Sequence, residues 1–181
     1  PEFIWSGCHV ISNKWVIEST SMETGQTFRW VRDMFYSNES GNVYALMDQE
    51  TELSLIGSNQ FRAFLGPRLP NYRDFDVGCR GGLAFRLPPT PGKYKRGDIG
   101  RAALEAVGFG VKLNSDRLQK IAKKGLTSLK VSGGLSKSRL LIEILANLLD
   151  APVPVPVQKE GSSIGAAVCA GLGAGVYKSI E

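Results

Sequence analysis

Polar and apolar positions change their spacing several times along the chain, and each change predicts an element. Residues 9–21 (HVISNKWVIESTS) are rich in β-branched and aromatic side chains and predict a strand or a hairpin. From Thr24-Gly25-Gln26 onward, Phe28, Val31, Met34 and Phe35 recur every three or four positions with Arg29, Arg32 and Asp33 between them, the pattern of an amphipathic helix. A turn over residues 37–42 leads to a weaker helix carried by Val43, Leu46, Leu53 and Ile56 and closed by Gly57, and residues 60–65 predict a short strand.

Gly, Pro and Arg dominate residues 66–97, with a short hairpin expected around Leu83-Ala84-Phe85; a stretch this long and aperiodic points to a functional or interface role. Periodicity returns at Asp98, a candidate cap, with Ile99, Ala102, Ala103, Val107, Phe109 and Val111 on one side. Gly108 and Gly110 each cost a helix about 1 kcal/mol relative to Ala, which predicts close approach of another backbone. This helix, or a second one after Asn114, runs to Lys124-Gly125. The last third alternates: a strand over 128–132, a helix over 137–150, a strand over 152–157 and a small-residue helix over 161–177, an order that predicts parallel strands covered by helices.

Composition narrows the class. At 181 residues, 43% hydrophobic and 22% charged, the chain has material for one core and is neither disordered nor fibrous. The net charge of +5 suits an anionic ligand such as a nucleotide as well as a nucleic acid. Cys8, Cys79 and Cys169 are widely spaced and the single histidine is His9, so neither a disulfide framework nor a zinc site is expected, and reduced thiols in the cytoplasm are. No apolar run is long enough to span a bilayer.

The chemistry concentrates in the turn Ser132-Gly133-Gly134-Leu135-Ser136-Lys137-Ser138, between a predicted strand and a predicted helix. Two glycines let backbone N–H groups approach a ligand, and the helix start behind them carries partial positive charge. A plain tight turn explains the same residues. Neither the G-x-x-x-x-G-K-[ST] phosphate loop nor the G-x-G-x-x-G dinucleotide turn is present.

The run from Leu129 to Tyr177 resembles the end of the FGGY carbohydrate kinases, the group of xylulokinase and glycerol kinase: a strand, a Gly-rich turn, a helix with Q-x-x-A-D, a V-x-V strand and a Glu before G-A-A. Asp98-Ile99-Gly100-Arg101-Ala102-Ala103-Leu104-Glu105 is similar to that family's H-L-x-R-A-x-x-E signature. Gly66-Pro67-Arg68-Leu69-Pro70 with Arg80-Gly81 resembles its G-E-R-x-P and A-R-G elements, and Gly25 to Asp33 resembles its G-x-x-L-x-W-x-x-D helix. The departures are Leu135 for the third glycine, Glu143 to Asn147 for Q-x-x-A-D, Pro67 for Glu and Asp98 for His.

The resemblance implies an α/β fold of the ribonuclease H-like actin, hexokinase and Hsp70 superfamily, a mixed sheet flanked by helices. It makes residues 1–181 a single domain, the C-terminal nucleotide-binding half of a pentulose- or polyol-type sugar kinase. ATP and Mg²⁺ are the implied cofactors, Gly133, Gly134, Ser136 and Ser138 the implied nucleotide contacts, and a sugar in the interdomain cleft the acceptor. The family's general-base Asp and the N-terminal sugar-binding domain fall outside the chain, which is therefore expected to be inactive alone and to need that domain as partner; a homodimer stays open. The alternative is a degenerate kinase-like module that binds a partner without catalysis.

Of the other conspicuous residues, His9 reads as structural, Asp33 and Asp98 as helix-end groups, and Trp15 and Trp30 as core. Arg68 and Arg80 suit either phosphate contacts or loop-tethering ion pairs. Lys120, Lys123 and Lys124, with the Tyr94-Lys95-Arg96 loop, lack the interleaved aromatics of a nucleic-acid surface, so no nucleic-acid partner is expected.

Overall fold

A computed structural model describes residues 4–20, 24–65, 81–157 and 160–180. The Gly66 to Pro70 element and Arg80 lie outside the described residues. An N-terminal hairpin forms, but its first strand precedes the 9–21 stretch, which supplies only the turn and the second strand: β1 (Trp5–Cys8) pairs antiparallel with β2 (Trp15–Glu18), Trp5 facing Glu18. Its turn is tied by His9, whose backbone N–H donates to Lys14 O at 2.9 Å and whose Nδ1 accepts from Ile11 N at 3.0 Å, so the histidine is structural as expected.

Helix α1 (Thr24–Phe35) follows, burying Thr27, Phe28 and Val31. Helix α2 (Val43–Glu52) starts at the cap Asn42, whose side chain accepts from Ala45 N at 3.2 Å. It stops a turn before the sequence pattern predicts: Leu53 and Ile56 are 80% and 88% exposed. The chain there turns through Gly57, Ser58, Asn59 and Gln60, all at positive φ, which helix propagation does not allow. Strand β3 (Arg62–Phe64) pairs antiparallel with β4 (Gly82–Ala84), so the strand expected over 60–65 forms, while Leu83 and Ala84 pair with it across the long intervening segment instead of in a short local hairpin.

Helix α3 (Arg96–Ala122) runs unbroken through Asn114 for 27 residues and is the axis of the molecule, packed by α1, α2, β3 and α4. Helix α4 (Arg139–Leu149) buries Leu140, Leu141, Ile144 and Leu145, one stripe at i, i+1, i+4, i+5. Those side chains join Phe28, Val31, Tyr36, Met47, Ala103, Leu104 and Val107 in one core. Gly108 makes room for side chains of α4 and not, as its place in the helix predicted, for another backbone: a Cβ there would stand 2.6 Å from Ile144 Cγ2 and 2.9 Å from Leu148 Cδ1.

The two strands predicted in the last third form no ladder. Residues 128–132 and 152–157 run extended and are joined by one backbone hydrogen bond, Leu129 N to Pro152 O at 3.0 Å. Amide N–H groups two residues apart point to the same edge of an extended chain, so Pro152, Pro154 and Pro156 strip one edge of its donors. Leu129, Val131 and Val153 instead anchor the segments by packing against the helical core. Among the described residues the strands thus make two antiparallel hairpins and no mixed sheet.

Helix α5 (Gly161–Gly173) ends earlier than its pattern predicts, because the chain folds back so that Val176 N and Tyr177 N both reach Gly171 O, at 2.8 and 3.1 Å. None of its residues is buried. The tryptophans expected in the core are also outside: Trp15 is 74% exposed on a hairpin face with no covering layer, and Trp30 is 39% exposed on the outer side of α1, edge-on to Phe35.

Candidate functional site

The starts of α1 and α2 and the turn that leads into α4 converge on a cleft of about 780 Å³. Gly133 makes the turn, at φ 89° and ψ −174°, a backbone conformation that side chains with a Cβ rarely adopt. Residues 134–137 then form one 3₁₀ turn, and Ser138 caps α4 by accepting from Leu141 N at 3.5 Å. Ser136 is 3% exposed and its hydroxyl donates to Gly133 O at 2.7 Å, so it ties the turn together from behind. Of the four residues expected at a ligand, Gly134 and Ser138 reach the cleft wall, while Gly133 and Ser136 shape it.

Gly134 is informative for a different reason from Gly133. It has no positive φ, and a Cβ added there would meet nothing within 4 Å. The packing of the described residues does not require glycine at this position, which lies on the cleft wall.

The opposite wall was not legible as a site. Arg29, from the first turns of α1, faces the cleft with Lys137, so two cations and the N–H ends of helices lie around it. Tyr44 and Asn42 come from the start of α2, with Tyr44 stacked on Phe28 at 6.2 Å between ring centroids. Asp48, one turn further along α2, contributes the carboxylate of the lining. Burial pushes its carboxyl above the ordinary range, a hydrogen bond with Ser138 acts against this, and the charge of Glu52 adds to the rise. Only the α1 motif, through Gly25 and Phe28, carried any sequence signal for this wall.

The Asp98 to Glu105 signature stands elsewhere and works on the scaffold. Asp98 lies at the third position of α3, not at the cap; its carboxylate accepts from Lys95 N at 2.8 Å and from Ser54 Oγ at 2.6 Å. Arg101 donates to Ser54 O at 2.8 Å and pairs with Glu105 at 3.0 Å. Glu105 in turn accepts from Gly57 N and Ser58 Oγ, both at 2.9 Å. Asp33 is an exposed helix-end group paired with Arg32 at 2.6 Å.

Among the described residues no three His, Cys, Asp or Glu side chains gather as a metal cage. No described helix is long and apolar enough to cross a membrane.

The family model for the C-terminal domain of the FGGY family of carbohydrate kinases matches residues 2–174. This chain belongs to the FGGY family. Among its relatives, the glycerol kinase of Treponema denticola is 34% identical over 170 residues, which cover 92% of this chain and 32% of that protein. The autoinducer-2 kinase of Escherichia coli O9:H4 is 30% identical over 180 residues, 95% of this chain and 33% of that one. The FGGY chain therefore spans about a third of the length of the curated relatives it matches. Its fold is that of FGGY kinase structures, a mixed α/β domain: xylulose kinase from Rhodospirillum rubrum superimposes with a TM-score of 0.74 at 20% identity, over 98% of this chain and 34% of that one. Plasmodium falciparum glycerol kinase, solved with ADP, does so at 0.73 and 18% identity, over 97% and 34%.

Proposed function

We propose that this chain is the nucleotide-holding, C-terminal domain of an ATP-dependent kinase acting on a pentulose- or polyol-type sugar in the cytoplasm, with a ribonuclease H-like core. The observation that carries the reading is Gly134, a glycine without positive φ at which a Cβ would meet nothing within 4 Å, at the edge of a cleft ringed by helix starts, Arg29 and Lys137. Backbone N–H groups and cations in that arrangement suit polyphosphate, and the Tyr44 and Phe28 rings suit a base. Mg²⁺ enters with the nucleotide, neutralising phosphate charge, and is held by phosphate and by groups outside the described residues.

The reaction in this reading moves the ATP γ-phosphoryl group to a sugar hydroxyl, and a carboxylate from an N-terminal domain takes the hydroxyl proton. That domain also supplies most of the sugar site, so this chain alone binds nucleotide and transfers nothing. Helix α5, with Ile164 42% exposed, and Val176 just beyond it, 71% exposed, are apolar groups that the described residues leave uncovered, which supports a partner polypeptide on that side. The same helix favours a second reading, a kinase-like module that binds a partner and has lost catalysis.

Titration of the purified chain with ADP, followed by calorimetry or NMR shifts, decides between them. Gly134→Val is expected to weaken ADP at least tenfold, about 1.4 kcal/mol, with an unchanged melting temperature. Equal affinity in a folded variant moves the assignment to the partner-binding module.

A further inference from the structure

Asp48 stands out because its carboxylate is only half used. The neighbouring Ser138 hydroxyl acts to lower the pKa of its carboxyl, while Oδ1 is buried and has no hydrogen-bond partner. A carboxylate is an acceptor, and a buried acceptor left without a donor is costly to keep. Ser138 has no second hydrogen to give, and its oxygen already caps α4 by accepting from Leu141 N. The residue nearest the sequence motif is therefore committed to the fold, and the acceptor free for a ligand belongs to α2, outside every motif in the chain.

We propose that Asp48 Oδ1 is the specificity-determining acceptor of the cleft, taking one hydrogen bond from a donor on the nucleoside part of the bound nucleotide. This rests on the nucleotide reading above. The negative charge of Asp48 repels phosphate, so the phosphates lie toward Gly134 and Lys137 and the nucleoside lies against α2. Tyr44 precedes Asp48 by one helical turn on the same face, placing an aromatic ring beside the carboxylate. Two groups of adenosine have the needed chemistry: the exocyclic amine of the base and a ribose hydroxyl. An amine donor would make the site select 6-amino over 6-oxo purines, since a carbonyl oxygen there would face the carboxylate. Ser138 is then a positioning residue that fixes the Asp48 rotamer.

The test compares ADP, IDP, 2′-deoxy-ADP and 3′-deoxy-ADP on the full chain and on Asp48→Ala, by calorimetry, with Gly134→Val as a control for the cleft. Asp48→Ala is expected to weaken ADP by about tenfold, while the one analogue that lacks the engaged donor binds both proteins alike. IDP in that role identifies the amine, and a deoxy analogue identifies the hydroxyl. The ratio of ADP to analogue affinity within one variant does not depend on the fraction folded, so the comparison survives a loss of stability. An equal loss for all four ligands means that Asp48 acts only on the fold and overturns the proposal. ADP binding that ignores Asp48→Ala but falls in Gly134→Val overturns it too and leaves the nucleotide site standing. ADP binding that ignores both substitutions, or its absence from the unmodified chain, removes the site and the proposal together.

Discussion

Gly97 of α3 lies directly against the backbone of Glu50 in α2: a Cβ on Gly97 would stand 2.3 Å from the Glu50 carbonyl oxygen and 2.8 Å from its carbon. One turn on, a Cβ at Gly100 would stand 2.4 Å from Thr51 Oγ1. These two glycines at i and i+3 let the helices meet at backbone distance, and so set where α2 presents Tyr44 and Asp48 to the cleft.

Gly97→Ala therefore sets about 1 kcal/mol of helix propensity against a clash with main chain that no rotamer change relieves. The clash wins. The variant is expected to lose about 2 kcal/mol in urea unfolding, and an equal or higher midpoint would show that the helices separate freely.

Glu105 holds the left-handed stretch at Ser58, Asn59 and Gln60, with φ of 54°, 51° and 67°, through Gly57 N and Ser58 Oγ. It is also the carboxylate partner of Arg101, which is 8% exposed. Glu105→Ala leaves a buried guanidinium without its counter-charge and two donors without acceptors, at a cost of about 3 kcal/mol or more. A loss under about 1 kcal/mol by chemical denaturation would contradict this role.

Glu50 gives stability a pH dependence with a defined sign. The Arg96 guanidinium, with both contacts at 2.7 Å, holds its carboxyl below the ordinary value of 4.5, and the Tyr36 hydroxyl at 3.0 Å acts in the same direction. A carboxyl depressed in the folded state stabilises it above the unfolded value and loses that contribution as pH falls through the folded one. Glu50→Gln is therefore expected to be less stable than the parent at pH 7 by about 1 kcal/mol, discounted for the partial exposure of the pair. The gap should shrink as pH drops below 4.5. A constant gap from pH 7 to pH 3 would assign the effect to packing.

Helix α5 presents apolar side chains that the described residues do not cover. Ile164→Ser in α5 is expected to shift stability by under about 0.5 kcal/mol, whereas Ile144→Ser in α4, at 8% exposure, should cost more than 2 kcal/mol. The parent chain should bind a hydrophobic dye such as ANS, and Ile164→Ser should bind less. Equal costs at the two positions would show that α5 is packed in solution.

The sequence by itself determined the elements whose burial is one-sided: α1 through Phe28 and Val31, α4 through Leu140, Leu141, Ile144 and Leu145, and the turn at Gly133 and Gly134 between extended chain and helix. In these the spacing of apolar residues records the core directly, because each helix buries a single face. The motif residues of the family were legible too, but what they do was not: Asp98, Arg101 and Glu105 brace a loop, and Ser136 braces the turn. Tertiary structure alone decided the rest. It ended α2 before Leu53 by reversing the chain through positive φ, and it left residues 128–132 and 152–157 joined by a single bond because alternate prolines offer no donors to an edge. It also decided the site, since Asp48 reaches Ser138 only because Gly97 and Gly100 let α2 lie on α3, and a contact between residues ninety positions apart leaves no local pattern to read.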